Sequence, residues 1–152
     1  MTALHSFLVI RVGKVYDLSR KAYITQDPIV EVDKVLAKYD TCFFAKFGKK
    51  LNTKKINELA ANKSLYLVVV INHDGNYLSK TYKIKIAMDQ ILEGAKNYPA
   101  YYAGKEDFIG TWLEVTTSEL QASLGSLYVT SSYQKLAISM STSMSSFFFC
   151  RL

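Results

Sequence analysis

The feature that most constrains the fold is an unbroken run of apolar and aromatic residues, Leu65 to Ile71 (LYLVVVI). The run is rich in β-branched residues and too short for a typical helix, so it predicts a strand that is covered on both faces. Asn72–Asn76 follows it, and its Asn, Asp and Gly residues tolerate positive φ and favour a hairpin turn. Tyr77 to Met88 then predicts the returning strand, with apolar residues that alternate with lysines. The alternating apolar residues are Tyr82, Ile84, Ile86 and Met88, and the lysines are Lys83 and Lys85.

The other predicted elements are short, and they mix strands with helices. At 152 residues the chain is expected to form one domain around one core. Asp27 followed by Pro28 is typical of a helix start, because Asp caps and Pro fits the first position. Further helices are predicted over residues 54–62 and 133–143, the second with Ile138 facing inward. Further strands are predicted over residues 7–16, 41–47, 108–115, 127–130 and 147–152.

Several classes of protein are disfavoured by what the sequence lacks. No apolar run approaches the roughly 20 residues that span a bilayer, so we expect no membrane partner. Cys42 and Cys150 lie far apart beside phenylalanines, which indicates buried free thiols in a reducing, cytoplasmic compartment. No cofactor motif or metal-ligand spacing occurs, and we expect neither a cofactor nor a metal. The chain stops on the apolar residues 147–152, which favours an N-terminal fragment of a longer protein with further domains.

Positive charge is concentrated in the middle of the chain. Residues 41–85 contain nine lysines and two acidic residues, a net charge of +7, whereas the whole chain carries +6. Clustered lysines suit a polyanion, because each neutralised phosphate releases condensed counterions. Hydroxyl-bearing side chains can add contacts to phosphate oxygens. The candidate phosphate-binding residues are Lys46, Lys49, Lys50, Lys54, Lys55, Ser131 and Ser132. The alternative is a solvated lysine-rich surface around a core strand.

Aromatic residues near this segment and later in the chain form a second candidate site. Tyr101 and Tyr102 lie in a loop, and Trp112 lies on the strand that follows. Together with Phe43 or Phe44 they predict a pocket in which a planar base stacks between aromatic side chains. The alternative for Trp112 is a core anchor that binds nothing.

The order of these elements resembles the PUA-like superfamily near its EVE and YTH branches. The resemblance lies in a strand, a helix, an aromatic strand ending in Lys46–Lys50 (KFGKK), a short helix, the apolar hairpin, the strand Gly110–Val115 (GTWLEV) and a serine-rich tail. It implies an α+β fold, with a strongly curved or barrel-like mixed sheet and short flanking helices. It also implies a flipped modified base in an aromatic pocket, as in the N-terminal specificity domains of McrB-type modification-dependent restriction systems.

Three functions from different classes remain open at this point. The first is a nucleic-acid-binding module, with DNA preferred over RNA and no catalysis of its own. The second is a small protein-interaction regulator of defence or anti-defence, whose basic face meets an acidic partner. The third is a metal-dependent nuclease, which would use the carboxylates of Glu106, Asp107 and Glu114.

Overall fold

A computed structural model describes residues 5–13, 16–17, 21–23, 27–62, 64–73, 76–143 and 145–152. These residues form nine strands and three α-helices, which confirms the mixed α+β class. The helices are α1 (Pro28–Tyr39), α2 (Thr53–Asn62) and α3 (Leu136–Thr142). The strands are β1 (His5–Val12), β2 (Tyr16–Asp17), β3 (Ala22–Tyr23), β4 (Cys42–Phe47), β5 (Ser64–His73), β6 (Asn76–Met88), β7 (Ile109–Thr117), β8 (Tyr128–Val129) and β9 (Phe147–Arg151).

Seven strands form one mixed sheet in the order β4-β7-β6-β5-β1-β9-β8, and β2 and β3 form a separate ribbon. β1 and β5 are parallel, and the other neighbours in the sheet are antiparallel. The predicted hairpin is confirmed, since β5 pairs with β6 and lies in the middle of the sheet. Positions 74–75 of the predicted turn lie outside the described residues. The predicted single strand over 7–16 is wrong in its last part, because the ladders of β1 end at Val12 and β2 begins separately at Tyr16.

β5 is buried on both faces, as its composition predicts. Leu67 and Val69 belong to a large apolar core that includes Val32 of α1 and Ile56 of α2. Val68, on the opposite face, packs in a second core beneath α3. Alternate residues of a strand point to opposite faces, so one apolar run supplies both cores.

Helices α1 and α2 begin where the sequence provides caps. The Asp27 carboxylate accepts a hydrogen bond from the Ile29 N–H at 2.8 Å, and Pro28 occupies the first turn. Asn52 Oδ1 accepts from the Lys55 N–H at 3.1 Å in the same way. Such a cap contributes about 1 kcal/mol to helix stability.

Two predictions about side-chain direction are wrong. A β-bulge between Ile84 and Ile86 shifts the register of β6 against β7, so Ile86 is exposed and Ala87 is buried instead. The Asn57 side chain accepts from the Ala87 N–H at 2.7 Å and donates to the Ala87 C=O at 3.0 Å, which holds the bulged segment against α2. Ile138 is exposed, because α3 begins only at Leu136 and turns Leu136 and Met140 inward.

Among the described residues the sheet is not closed, so the expected barrel-like sheet is not confirmed. β4 and β8 are its edge strands. The outer edge of β4 is covered by a loop, because the Phe43 N–H donates to Asn97 O at 2.8 Å and the Ala45 N–H donates to the Tyr102 hydroxyl oxygen at 3.3 Å. Among the described residues, no helix is both long enough and apolar enough to cross a bilayer.

Candidate functional site

A cavity of about 390 Å³ lies between β1 and β4. Three strands separate these two in the hydrogen-bonding order, so the open sheet must curl to bring both to one cavity. Its walls come from residues 10–13, residues 44–47, Ser146, and the loop that contains the two 3₁₀ turns Ala100–Tyr102 and Glu106–Phe108. The volume is within the range of about 300–1,000 Å³ that is typical of small-molecule sites.

Aromatic side chains form much of the cavity wall. Tyr102 is 2% exposed, and its ring centroid lies 5.6 Å from that of Phe47 and 4.8 Å from that of Tyr101, both edge-to-face. Such contacts fix the orientation of the rings. Phe108 is 65% exposed although it lines the cavity, so it lies at the opening and offers a free face.

Three cationic side chains line the same cavity: Arg11, Lys46 and Lys105. Among the described residues, no acidic side chain lines it. Lys46 is only 4% exposed, and its ammonium donates to Phe47 O at 2.6 Å. Burial lowers the pKa of Lys46, because removal from water disfavours the charged form. The cavity therefore combines apolar walls with concentrated positive charge.

Arg11 forms hydrogen bonds with the segment after α3, which forms one side of the cavity. Its Nε donates to Ser145 O at 2.9 Å, Nη1 donates to Met140 O at 2.8 Å, and Nη2 donates to Ser143 O at 2.7 Å and also to Ser145 O. Its guanidinium also lies 5.3 Å from the centroid of the Phe148 ring. The donors of Arg11 are thus used to position the chain after α3, and the positive charge of its guanidinium remains beside the cavity.

The tyrosines of the site stay protonated at neutral pH. Burial raises the pKa of Tyr101 and of Tyr102 above the usual tyrosine value. The Lys105 ammonium lies 5.6 Å from the centroid of the Tyr101 ring. A ligand next to Tyr101 therefore meets a neutral phenol and a nearby cation.

The structure divides the predicted base-binding residues into two groups. Phe44, Tyr101 and Tyr102 line the cavity. Phe43 and Trp112 do not; they are buried in an apolar cluster that also contains Tyr102. Trp112 is 6% exposed, and Tyr102 lies against it with a centroid distance of 5.7 Å. Trp112 therefore does not line this cavity, and its indole packs against Tyr102 from the core side.

The predicted phosphate-binding lysines also fall into two groups, exposed and buried. Lys49, Lys50, Lys54 and Lys55 are exposed, whereas Lys46 is buried at the cavity, so the expectation of one shared face is wrong for Lys46. Its position on β4 explains this, because Lys46 follows Cys42 and Phe44 on the inward face.

Two of the exposed lysines contact neighbouring side chains. Lys50 Nζ lies 3.0 Å from Asp89 Oδ2 on the surface. Lys55 Nζ lies 4.0 Å from the centroid of the Phe149 ring.

The predicted hydroxyl groups lie beyond the end of β8. Ser131 and Ser132 are exposed and do not line the cavity. The neighbouring Thr130 N–H donates to Phe149 O at 2.9 Å. Phe149 therefore connects this turn with Lys55, whose ammonium lies over the same residue's ring.

The acids of the nuclease hypothesis do not form a metal site. Glu106 and Asp107 are exposed in a 3₁₀ turn, and Glu106 Oε1 accepts from the Gly104 N–H at 3.3 Å. Glu114 lies on β7, opposite Phe43 of β4. In the described part of the chain, no three His, Cys, Asp or Glu side chains are grouped so that they could hold a metal ion. The use of these three acids by a nuclease therefore stays a prediction.

Sequence reasoning missed four cationic or aromatic residues of the cavity: Arg11, Phe47, Lys105 and Phe108. An arginine inside an apolar strand is unusual, and this was the available signal for Arg11. The strand period alone does not place Phe47, because the register of β4 against β7 shifts between Lys46 and Phe47. Nothing in the local sequence distinguishes Lys105 or Phe108 from ordinary loop residues.

Fold and cavity together define the class: a mixed α+β domain with an apolar, cation-lined cavity between two strands of an open sheet. Comparison with family models, curated proteins and solved structures gave no match. The similarity to PUA-like domains therefore stays a prediction.

Proposed function

We propose that the protein binds nucleic acid and holds one unstacked base in the cavity between β1 and β4. The observation that carries the proposal is that Phe108 and Tyr101 line one cavity together with three cationic side chains, and that no described acidic residue lines it. Aromatic faces stack on any base, and cations favour its phosphates.

Phe108 is the best-placed stacking residue. Its ring is exposed, whereas Tyr102 is buried and presents little surface. A base in a duplex must be extruded before it can enter such a site, at a cost of a few kcal/mol. Stacking on an aromatic side chain returns about 1–3 kcal/mol per base. The remainder would come from contacts with the base edge and the backbone.

The basic loop after β4 is close enough to contact the backbone of a bound strand. The Gly48 N–H donates to Phe108 O at 2.8 Å, which fixes Lys49 and Lys50 near the opening. Both lysines are exposed and can approach phosphates. This arrangement supplies affinity without sequence preference, and the cavity supplies selectivity.

The specific form of the proposal is recognition of a modified base in DNA by a specificity domain of a restriction or defence protein. Its support is the PUA-like order of elements in the sequence together with the cavity. Binding of an RNA strand is the alternative form, and the same cavity would serve it.

The test measures fluorescence anisotropy with labelled single-stranded DNA, RNA, and duplexes with and without a methylated base, at 50 and 200 mM salt. We expect affinity to fall with salt and Phe108→Ala to weaken binding about 5- to 100-fold, as loss of one stacked base would. Leu92→Ala is the matched control, because Leu92 is 72% exposed and lies outside the cavity lining. Binding that is insensitive to salt, or equally affected by the two variants, would contradict the proposal.

A further inference from the structure

Lys46 is an unusual residue for the inside of a small domain. The residue is only 4% exposed, and it lies on the β4 face that carries Cys42 and Phe44. Lysine is rarely fully buried unless it is paired, because an isolated ammonium loses most of its hydration.

The contacts of Lys46 do not neutralise its charge. The ammonium has three donors and gives one to a neutral carbonyl, Phe47 O. It also lies 5.9 Å from the centroid of the Phe147 ring, which is a weak attraction. The ion pairs among the described residues are Lys34–Glu31 and Lys50–Asp89, and neither involves Lys46.

The position of the Lys46 ammonium in the cavity wall allows it to bind a ligand. Lys46 lines the cavity, so a group bound there can reach the ammonium donors for which the described residues provide no acceptor. A buried charge costs free energy when it is alone and is stabilised when an opposite charge with good geometry joins it. Arg11, Lys105, Tyr101 and Tyr102 also line the cavity, and each is a cation or a protonated phenol.

We propose that the cavity selects a planar ring that carries a carboxylate, with the carboxylate bound by Lys46 and the ring held against Tyr101 and Phe108. This inference deepens the proposed function, since it names the class of base that would enter. The same chemistry is also present in a free aromatic acid, so the test includes both sources.

The first experiment compares two ligands of the same shape by isothermal titration calorimetry: uracil-5-carboxylate and uracil-5-carboxamide. We expect the carboxylate to bind wild-type protein at least 10-fold more tightly than the amide. Lys46→Met, which keeps the length and removes the charge, is expected to abolish this preference. Lys49→Met is the matched control and is expected to retain it, because Lys49 is exposed and outside the lining. Equal binding of both ligands, no binding of either, or a preference that survives Lys46→Met would overturn the inference. The wild-type comparison alone decides this if Lys46→Met does not fold.

The second experiment separates the two sources and the two proposals. Oligonucleotides with one 5-carboxylcytosine or one 5-methylcytosine are compared by anisotropy. A Lys46-dependent preference for the carboxylated strand supports both proposals. A preference confined to the free acid supports this inference and removes the nucleic-acid function. Phe108-dependent binding of both strands with equal affinity keeps the nucleic-acid function and overturns this inference.

Discussion

Replacement of Arg11 by methionine is expected to destabilise the protein far more than replacement of an ordinary partly buried arginine. The guanidinium donates to the carbonyls of Met140, Ser143 and Ser145, so one side chain links the end of α3 to the segment before β9. Methionine fills similar volume but donates no hydrogen bond. The carbonyls then rely on water at a site where the chain is only partly exposed.

The size of the effect follows from these contacts. A hydrogen bond to a charged group contributes about 1.5–3 kcal/mol, and bonds that share one donor group are not additive. The loss of the cation–π contact with Phe148 adds about 0.5–1 kcal/mol. Since water partly replaces the lost donors, we expect Arg11→Met to lower the free energy of unfolding by about 3 kcal/mol. With a urea m-value of about 2 kcal/mol/M, the midpoint would fall by about 1.5 M.

Urea denaturation followed by Trp112 fluorescence measures this change. Trp112 is the sole tryptophan and is 6% exposed, so its emission reports loss of the core. Arg151→Met is the matched control. Arg151 also lies over aromatic rings, at 5.4 Å from the Tyr128 centroid and 5.4 Å from the Tyr133 centroid, but its only carbonyl contact among the described residues is with Leu152. The control is expected to cost less than about 1 kcal/mol. Equal midpoints for Arg11→Met and Arg151→Met would refute the reasoning.

Two further predictions concern local packing and thiol chemistry. Gly110→Ala is expected to cost about 2–3 kcal/mol in urea denaturation, because the new Cβ would lie 2.4 Å from the backbone oxygen of Gly48. Gly125→Ala, whose Cβ would lie 3.9 Å from the nearest atom, is expected to change stability by less than about 0.5 kcal/mol, and a similar loss for both would contradict this. Burial raises the pKa of Cys42 and Cys150 to about 12, so stability contributed by the protonated thiols falls as pH rises above about 9. At pH 8 both thiols are expected to react with a disulfide reagent only after denaturant is added, and fast reaction of the native protein would show that they are accessible.

Local signals in the sequence predict the elements well. The burial of both cysteines as free thiols is confirmed, and so are the cap at Asp27, the central position of β5 and its antiparallel pairing with β6. Each depends on residues that are close in sequence or on a single strong apolar run. Physical rules that act over a few residues are sufficient for them.

The cavity could not be predicted in this way. It forms between β1 and β4, which are far apart in the sheet order and meet only because the open sheet curls. The bulge between Ile84 and Ile86 could not be predicted either, because the segment is held by a hydrogen bond from the Ala87 N–H to the Asn57 side chain on α2. Trp112 shows the limit most directly, since a strand period cannot distinguish a residue that lines a cavity from one that supports its wall.

The edge of the sheet at β4 has a consequence for self-association. An unpaired edge strand can add a strand from another molecule, and such pairing leads to aggregation. Here the outward-facing Ala45 N–H donates a hydrogen bond to the hydroxyl oxygen of Tyr102, and the Phe43 N–H donates one to Asn97 O. Tyr102 also forms a wall of the cavity. A ligand that displaced this ring would therefore expose the Ala45 N–H to a strand from another molecule. The Tyr102 side chain would then link occupancy of the cavity to self-association of the protein.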